Sequence, residues 1–362
     1  MVKLFRLAFF AFVPALVFGQ SPAVRFPSAT HSAPRSSDAQ KSYAKALKEI
    51  DQHKIDQALQ DFRKADAQDG QQCVDCETHA FAAARALEDY KAAREEATLL
   101  LANVSSNEDK ARVHLMAGDV CLAQGGYRIF EEPFQQAESE YKTALELAPQ
   151  QADCLYGDGV ALAHLHQYDK ARERFEQYLK LASPQDFSYT RAQLFATQPE
   201  LARKRVSPNF KIVALDGKTV SMEALQGKVV LIDFWATWCG PCKLALPHLQ
   251  EIVKNFAGQP LVVISISVDA DEPSWKSFVA SHGMTWTQYR DGGFDGPIAS
   301  QFNVKAIPTT FTIDANGFVQ DQQVGDGEIE VKLKKLLAAA QPSPGKSVAA
   351  SPQQSAIEKP GQ

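Results

Sequence analysis

Two cysteines at Cys-x-x-Cys spacing, Cys239 and Cys242, lie in the stretch Trp235-Ala-Thr-Trp-Cys-Gly-Pro-Cys242. Just before it, Val229 to Phe234 is short, β-branched and aromatic-rich, which reads as a buried strand. After it, Lys243-Leu-Ala-Leu-Pro-His-Leu-Gln-Glu-Ile-Val-Lys-Asn255 carries apolar positions at helical spacing. The pair therefore sits at a strand-to-helix junction, with Cys239 at the helix N-terminus. Unpaired N–H groups and the positive end of the helix dipole stabilise an anion there, so a cysteine in that place ionises more easily than a free thiol. A thiolate with a second thiol one helical turn away is equipped for dithiol–disulfide exchange. Two other readings stay open: half of a zinc site, or an inert structural disulfide. A second pair that could complete a zinc site, Cys73-Val-Asp-Cys76, lies far away in a helical region.

The elements around the pair extend the pattern. Ser207-Pro-Asn-Phe210, Asp216-Gly-Lys218, Leu225-x-Gly-Lys228, the strand, the cysteine pair after Trp238, and Ile307-Pro-Thr-Thr-Phe-Thr-Ile-Asp-Ala-Asn-Gly317 occur in that order. Over about residues 205–340 this resembles the TlpA/ResA-like branch of the thioredoxin fold, thiol–disulfide oxidoreductases of the periplasm or of membrane-facing compartments. The resemblance implies that Cys239 and Cys242 form the redox-active disulfide and that Pro308 is cis and lies opposite it. It implies that Trp238, Gly240, Pro241 and Ile307 shape a substrate groove. Asp233 matches the buried acid that assists proton transfer to the second cysteine; the plainer reading of Asp233 is a satisfied buried carboxylate. Two departures stand out. Many relatives carry an acid three positions after the second cysteine, where this chain has Ala245, and some carry a glutamate near the proline loop, where Pro308-Thr-Thr-Phe311 has none. These weaken the transfer of a specific cytochrome-maturation role and leave the exchange chemistry intact.

The chain has 362 residues with a net charge of −5, 45% hydrophobic and 22% charged, enough for two ordinary domains and tails. It lacks the basic footprint of a nucleic-acid binder. Lys3 and Arg6 precede an uncharged apolar run, Leu7 to Phe18, ended by Gly19 with Val17 at −3. This reads as a secretory signal over residues 1–19, with an uncleaved anchor as the alternative. Export to the periplasm or beyond gives the six cysteines access to disulfide chemistry.

Residues 20–38 and 341–362 are Ser/Pro/Ala-rich and read as disordered linker and tail. Residues 39–200 read as helical repeats. A small residue is followed four positions later by a large one at Ala58/Phe62, Ala137/Tyr141 and Ala171/Phe175, with a degenerate copy at Ala93/Ala97. The intervals of 35, 44 and 34 residues are close to the tetratricopeptide period, and the long one places an insertion at Gly125–Pro133. Gly118 and Gly159 fall where the repeat needs close helix packing, and Pro149 and Pro184 end their repeats. Such pairs stack into a curved solenoid whose concave face binds a protein or peptide, or which serves as a spacer or dimerisation platform. Cys73 and Cys76 open a repeat and read as a structural pair, with free thiols or loose metal binding as alternatives. Cys121 and Cys154 read as buried small hydrophobes. His164 and His166 point in different directions, and His248 reads as a helix-surface residue.

In the C-terminal part, Leu261–Val268 reads as a strand, Glu272–His282 as a helix, and Phe302 as part of another helix. Thr309–Ile313 and Phe318–Val324 read as a hairpin, and Glu328–Ala340 as a closing amphipathic helix. The expected architecture is two domains, an all-α tetratricopeptide-type solenoid followed by an α/β thioredoxin fold with a mixed central sheet. The expected activity is exchange with protein disulfides in the reducing direction. It needs no dissociable cofactor and no metal, and it is recharged by a membrane-borne thiol donor. An oxidase or isomerase using the same dithiol, a peroxiredoxin-like peroxidase and a non-enzymatic scaffold are the alternatives.

Overall fold

Short polar residues set the helix starts in the N-terminal half. Ser36, Asp89 and Ser106 cap α1 (Ser37–Asp51), α4 (Tyr90–Asn103) and α5 (Asn107–Gly125), each side chain accepting an N–H of the first turn. Between and beyond them lie α2 (Ile55–Gln68), α3 (Val74–Ala86), α6 (Glu132–Leu147), α7 (Ala152–His164), α8 (Tyr168–Leu181) and α9 (Tyr189–Thr197). In this computed structural model the described residues are 26–29, 31–52, 54–126, 130–186, 188–324 and 329–340. The signal segment 1–19, the tail 341–362, positions 127–129 of the insertion and the expected helix start at 328 lie outside them.

Each of α1 to α9 packs on the next in sequence, the near one-dimensional arrangement of a repeat array. The small-and-large pairs are its core: Ala58, Phe62, Ala137, Tyr141, Ala171 and Phe175 are all fully buried. The glycines are where rings lie on backbone. A Cβ on Gly118 would stand 2.6 Å from the Tyr141 ring, one on Gly157 2.5 Å from it, and one on Gly159 2.8 Å from the Phe175 ring. Tyr141 is thus held between two helices, and its hydroxyl donates to Asp119 Oδ1 at 2.7 Å.

The linker expected over 20–38 needs correction where it is described. α1 already starts at Ser37. Phe26 is buried against α5, with Arg112 5.8 Å over its ring. Ser28 Oγ accepts the N–H groups of Ser105 and Ser106, and the N–H groups of Arg35 and Ser36 donate to Asp69. A Ser/Pro/Ala composition hides this because the contacts use main-chain groups and one aromatic ring rather than an apolar stripe.

The C-terminal half starts with a small antiparallel hairpin, β1 (Lys211–Val213) and β2 (Thr219–Ser221). A five-stranded mixed sheet follows, made from β3 (Val229–Trp235), β4 (Leu261–Ser267), β5 (Thr287–Arg290), β6 (Thr309–Ile313) and β7 (Val319–Val324) in the order β5-β4-β3-β6-β7. β3, β4 and β5 run parallel, while β6 is antiparallel to β3 and to β7. This is a thioredoxin fold. α10 (Gly240–Asn255) and α13 (Ile329–Ala340) cover one face with Val229 and Leu231, whereas Val230, Ile232 and Phe234 turn to the other face beside Phe302 and Phe311. By that alternation Asp233 and Trp235 belong to the α10 side. α11 (Glu272–Ser281) and α12 (Pro297–Gln301) complete the domain.

Sequence reading missed β5, four residues with little apolar character, and the β1–β2 hairpin; Phe302 is the cap of α12 rather than part of it. The helices meet the sheet domain where Phe195 packs near Phe318 (6.2 Å between ring centroids) and Val206 bridges Phe318. Among the described residues no helix is long and apolar enough to cross a membrane.

Candidate active site

β3 ends at Trp235, and three residues carry the chain to Cys239, the N-cap of α10. Gly240 and Pro241 occupy the first two helical positions, where proline's fixed φ and missing N–H suit a helix start. Cys242 then falls in the first turn and is joined to Cys239 by a disulfide, and its N–H donates to Cys239 Sγ at 3.2 Å. Gly240 faces open space. Trp238, directly before Cys239, is 61% exposed, and Leu244, on the first turns of α10, is 81% exposed.

A reactive cysteine at a helix start is ordinarily partly exposed; here Cys239 and Cys242 are both buried, 5% and 6% exposed. Bonded to each other, both sulfurs join the same apolar cluster.

Behind Cys242 lies a cavity of about 40 Å³, lined by Asp233, Trp235, Cys242, Leu246, Pro308 and Thr310 among others. That is room for a water molecule. The Ile307–Pro308 bond is cis, and Pro308 is buried just before β6. Ile307 packs partly buried on the core. The structure thus brings Asp233, Cys242 and Pro308 to one cavity. His248 reaches its edge and lies 3.8 Å from Glu330.

Asp233 is mid-strand, opposite Ser265 on β4 and Thr310 on β6. Burial pushes its carboxyl up to about 7, against the opposing hydrogen bond from Ser265. Ser265 Oγ donates to Asp233 Oδ2 at 3.2 Å and accepts from Trp286 Nε1 at 2.9 Å. One acid poised near neutral pH beside a dithiol is suited to hold or pass a proton.

Sequence reasoning missed Ser265 and Trp286, and it missed Asp269. The Asp269 carboxylate accepts Thr237 N–H (2.9 Å), Thr237 Oγ1–H (2.7 Å) and Ser267 Oγ–H (2.6 Å), which pins the connection leading into Cys239. The signal was present: Ser265 and Ser267 are polar residues inside an otherwise apolar buried strand, where a polar group is kept only with a partner.

The remaining candidates are not gathered into a site. Cys121 and Cys154 are free and buried, and burial pushes their thiols up to about 11 and about 12, so they stay protonated. His164 stacks on Phe134 with centroids 4.0 Å apart. No group of three or more metal-ligating side chains occurs among the described residues.

A model of the AhpC/TSA family matches residues 204–322. The chain is similar to the thiol-disulfide oxidoreductase ResA of Bacillus thuringiensis, 30% identical over 145 residues, covering 39% of this chain and 83% of the relative. It is similar to the thioredoxin-like protein YneN of Bacillus subtilis, 33% identical over 133 residues, covering 35% and 76%. Among solved structures, a thiol:disulfide interchange protein of Chlorobium tepidum is 28% identical and covers 37% of this chain and 97% of that one, with a TM-score of 0.34.

Proposed function

The chain belongs to the ResA family of thiol–disulfide oxidoreductases, and on that premise we propose that it reduces protein disulfides outside the cytoplasm through Cys239 and Cys242. The observation that carries the reading is one cavity shared by Cys242, Asp233 and Pro308 behind a helix-capping Cys239. In the reduced enzyme the Cys239 thiolate attacks a substrate disulfide. That S–S bond breaks, one substrate sulfur leaves as a thiol, and Cys239 is held in a mixed disulfide. Asp233 takes the Cys242 proton, directly or through a water, and the Cys242 sulfur displaces the second substrate sulfur from Cys239. The substrate leaves with two thiols and the enzyme with the Cys239–Cys242 disulfide. A donor dithiol, for which we favour a membrane-borne protein, restores it.

Apolar surroundings support the reducing direction. A thiolate gains from the helix N-terminus but loses from burial, so the reduced form lacks the strong stabilisation that makes an oxidant. Trp238, Gly240, Pro241 and Ile307 form the surface on which an extended substrate chain lies, with Pro308 beneath. The stacked helices of residues 39–200 hold the protein or peptide partner. The apolar Leu7–Phe18 run directs export, the setting in which cysteine pairs form disulfides.

The test is a trapping experiment. With Cys242→Ser the mixed disulfide cannot be resolved, so a substrate protein accumulates on Cys239 and is released by dithiothreitol. A Cys242→Ser chain that forms no such adduct with reducible protein substrates overturns the assignment.

A further inference from the structure

The second cysteine pair repeats the local frame of the first. Cys73 is the N-cap of α3, Cys76 follows in the first turn, and the two are disulfide-bonded. Cys76 N–H donates to Cys73 Sγ at 3.2 Å, matching the 3.2 Å contact of Cys242 N–H with Cys239 Sγ. The surroundings differ sharply. Cys73 and Cys76 are both completely buried. Asp66 Oδ1 accepts the Cys73 N–H at 3.0 Å, and Glu77, also completely buried, follows Cys76 directly. Burial, reinforced by the Asp66 charge, pushes Glu77 up to about 8. A thiolate in this fully buried place, with Asp66 on the Cys73 N–H, is disfavoured, whereas the first turn of α10 after Cys239 carries no acid.

A second observation concerns what lies on top. The carbonyls of His31 and Ser32 accept the N–H groups of Val74 and Asp75 at 3.1 and 2.9 Å, capping the first turn of α3. The Ser32 carbonyl oxygen lies 3.9 Å from Cys73 Sγ. Further along, the N–H groups of Arg35 and Ser36 both end on Asp69 Oδ1, at 2.8 and 3.0 Å, and the Arg35 guanidinium lies 3.6 Å from the same carboxylate. Residues 31–36 form a strap across the disulfide, held mainly by hydrogen bonds and the Arg35–Asp69 ion pair, with Pro34 buried and Ser32 and Ala33 exposed.

We propose that Cys73–Cys76 is a second, gated redox couple: a dithiol reductant reaches it only when the 31–36 strap lifts, and its reduction in turn loosens the strap. The thiolate of the dithiol attacks one of the two sulfurs, the Cys73–Cys76 bond breaks and a mixed disulfide forms. The reductant's second thiol then displaces it. The reductant leaves as a disulfide, its two electrons and two protons now on the Cys73 and Cys76 thiols. Breaking the bond moves the sulfurs from bonded to van der Waals separation. With both fully enclosed, a neighbour has to give way, because a close-packed interior has no spare volume. Ala65 and Tyr43 pack on the pair from the helical side, so the neighbour that yields is the carbonyl of the exposed Ser32. Coupling of this kind is reciprocal, so a loosened strap also makes the pair easier to reduce.

The full chain is incubated with dithiothreitol and alkylated at intervals, and mass spectrometry follows each pair separately. Cys239–Cys242 is expected to be reduced at least about tenfold faster than Cys73–Cys76, the protection given by a site that must open first. Asp69→Ala removes the acceptor for Arg35 and Ser36 and is expected to speed reduction of Cys73–Cys76 several-fold while leaving Cys239–Cys242 unchanged. Hydrogen exchange on the unmutated chain supplies an arm that no folding defect can confuse. The amides of Arg35, Ser36, Val74 and Asp75 are expected to exchange faster once Cys73–Cys76 is reduced. Equal reduction rates at the two pairs, an unchanged Cys73–Cys76 rate in a folded Asp69→Ala chain, or unchanged exchange at those four amides on reduction overturns the proposal.

Discussion

Replacing Cys239 with serine is expected to lower the rate of protein-disulfide reduction by about a thousandfold or more, because a hydroxyl supplies no thiolate-like nucleophile at neutral pH. The effect is specific to chemistry. Cys239 caps α10 through its sulfur, and serine is itself a favoured N-cap, so the variant is expected to keep the helix start. Its loss of activity then reports on the nucleophile and not on folding. Steady-state reduction of a disulfide-bonded protein, with circular dichroism alongside, checks both halves. An active Cys239→Ser chain would leave the solenoid-scaffold reading as the better account.

Asp233→Asn is expected to stabilise the oxidised protein in alkali and to slow exchange. The sign follows from the carboxyl's position. Burial raises it to about 7 in the folded chain, above its ordinary value of about 3.9. The folded state therefore binds the proton more tightly than the unfolded state. The stability this group contributes is fully present below about pH 4 and is lost as the pH rises through about 7. At pH 8 the ionised carboxylate costs up to about 4 kcal/mol, on the order of 1.4 kcal/mol per unit of displacement. Asparagine carries no such charge. Denaturant unfolding at pH 8 is expected to show the variant more stable by a few kcal/mol, with the advantage shrinking toward nothing at pH 4. Exchange is expected to fall by about 10²-fold, the usual contribution of a placed acid–base group. The same stability difference at both pH values would mean that Asp233 does not titrate as its burial requires.

How far the sequence carried these conclusions depended on the kind of signal. Val229–Phe234, the Cys239–Cys242 spacing and the Asp314–Gly317 turn are local signals, and the structure places β3, the start of α10 and the β6–β7 hairpin accordingly. The repeat glycines were legible because backbone contact at Gly118 and Gly159 leaves no room for a side chain. What escaped was held together by long-range polar contacts. Asp269 grips Thr237 across 32 residues, Trp286 reaches Ser265 across 21, and Asp109 accepts the N–H of Ser28 across 81. The serines of β4 signal that polar partners exist, but nothing local in the sequence says which distant residues those are. The depth of Cys239 is likewise not local: its helix-start position says nothing of the apolar cluster that buries both sulfurs of the disulfide.

The central claim, a reversible reducing couple at Cys239–Cys242, is tested most directly by a redox titration. The full chain is equilibrated in thiol buffers of defined potential and alkylated, and the fraction reduced is read on the peptide carrying this pair alone. The account predicts a two-electron transition near or below about −270 mV, the range of a reductant. A midpoint nearer −120 mV, the range of a strong oxidant, would contradict it.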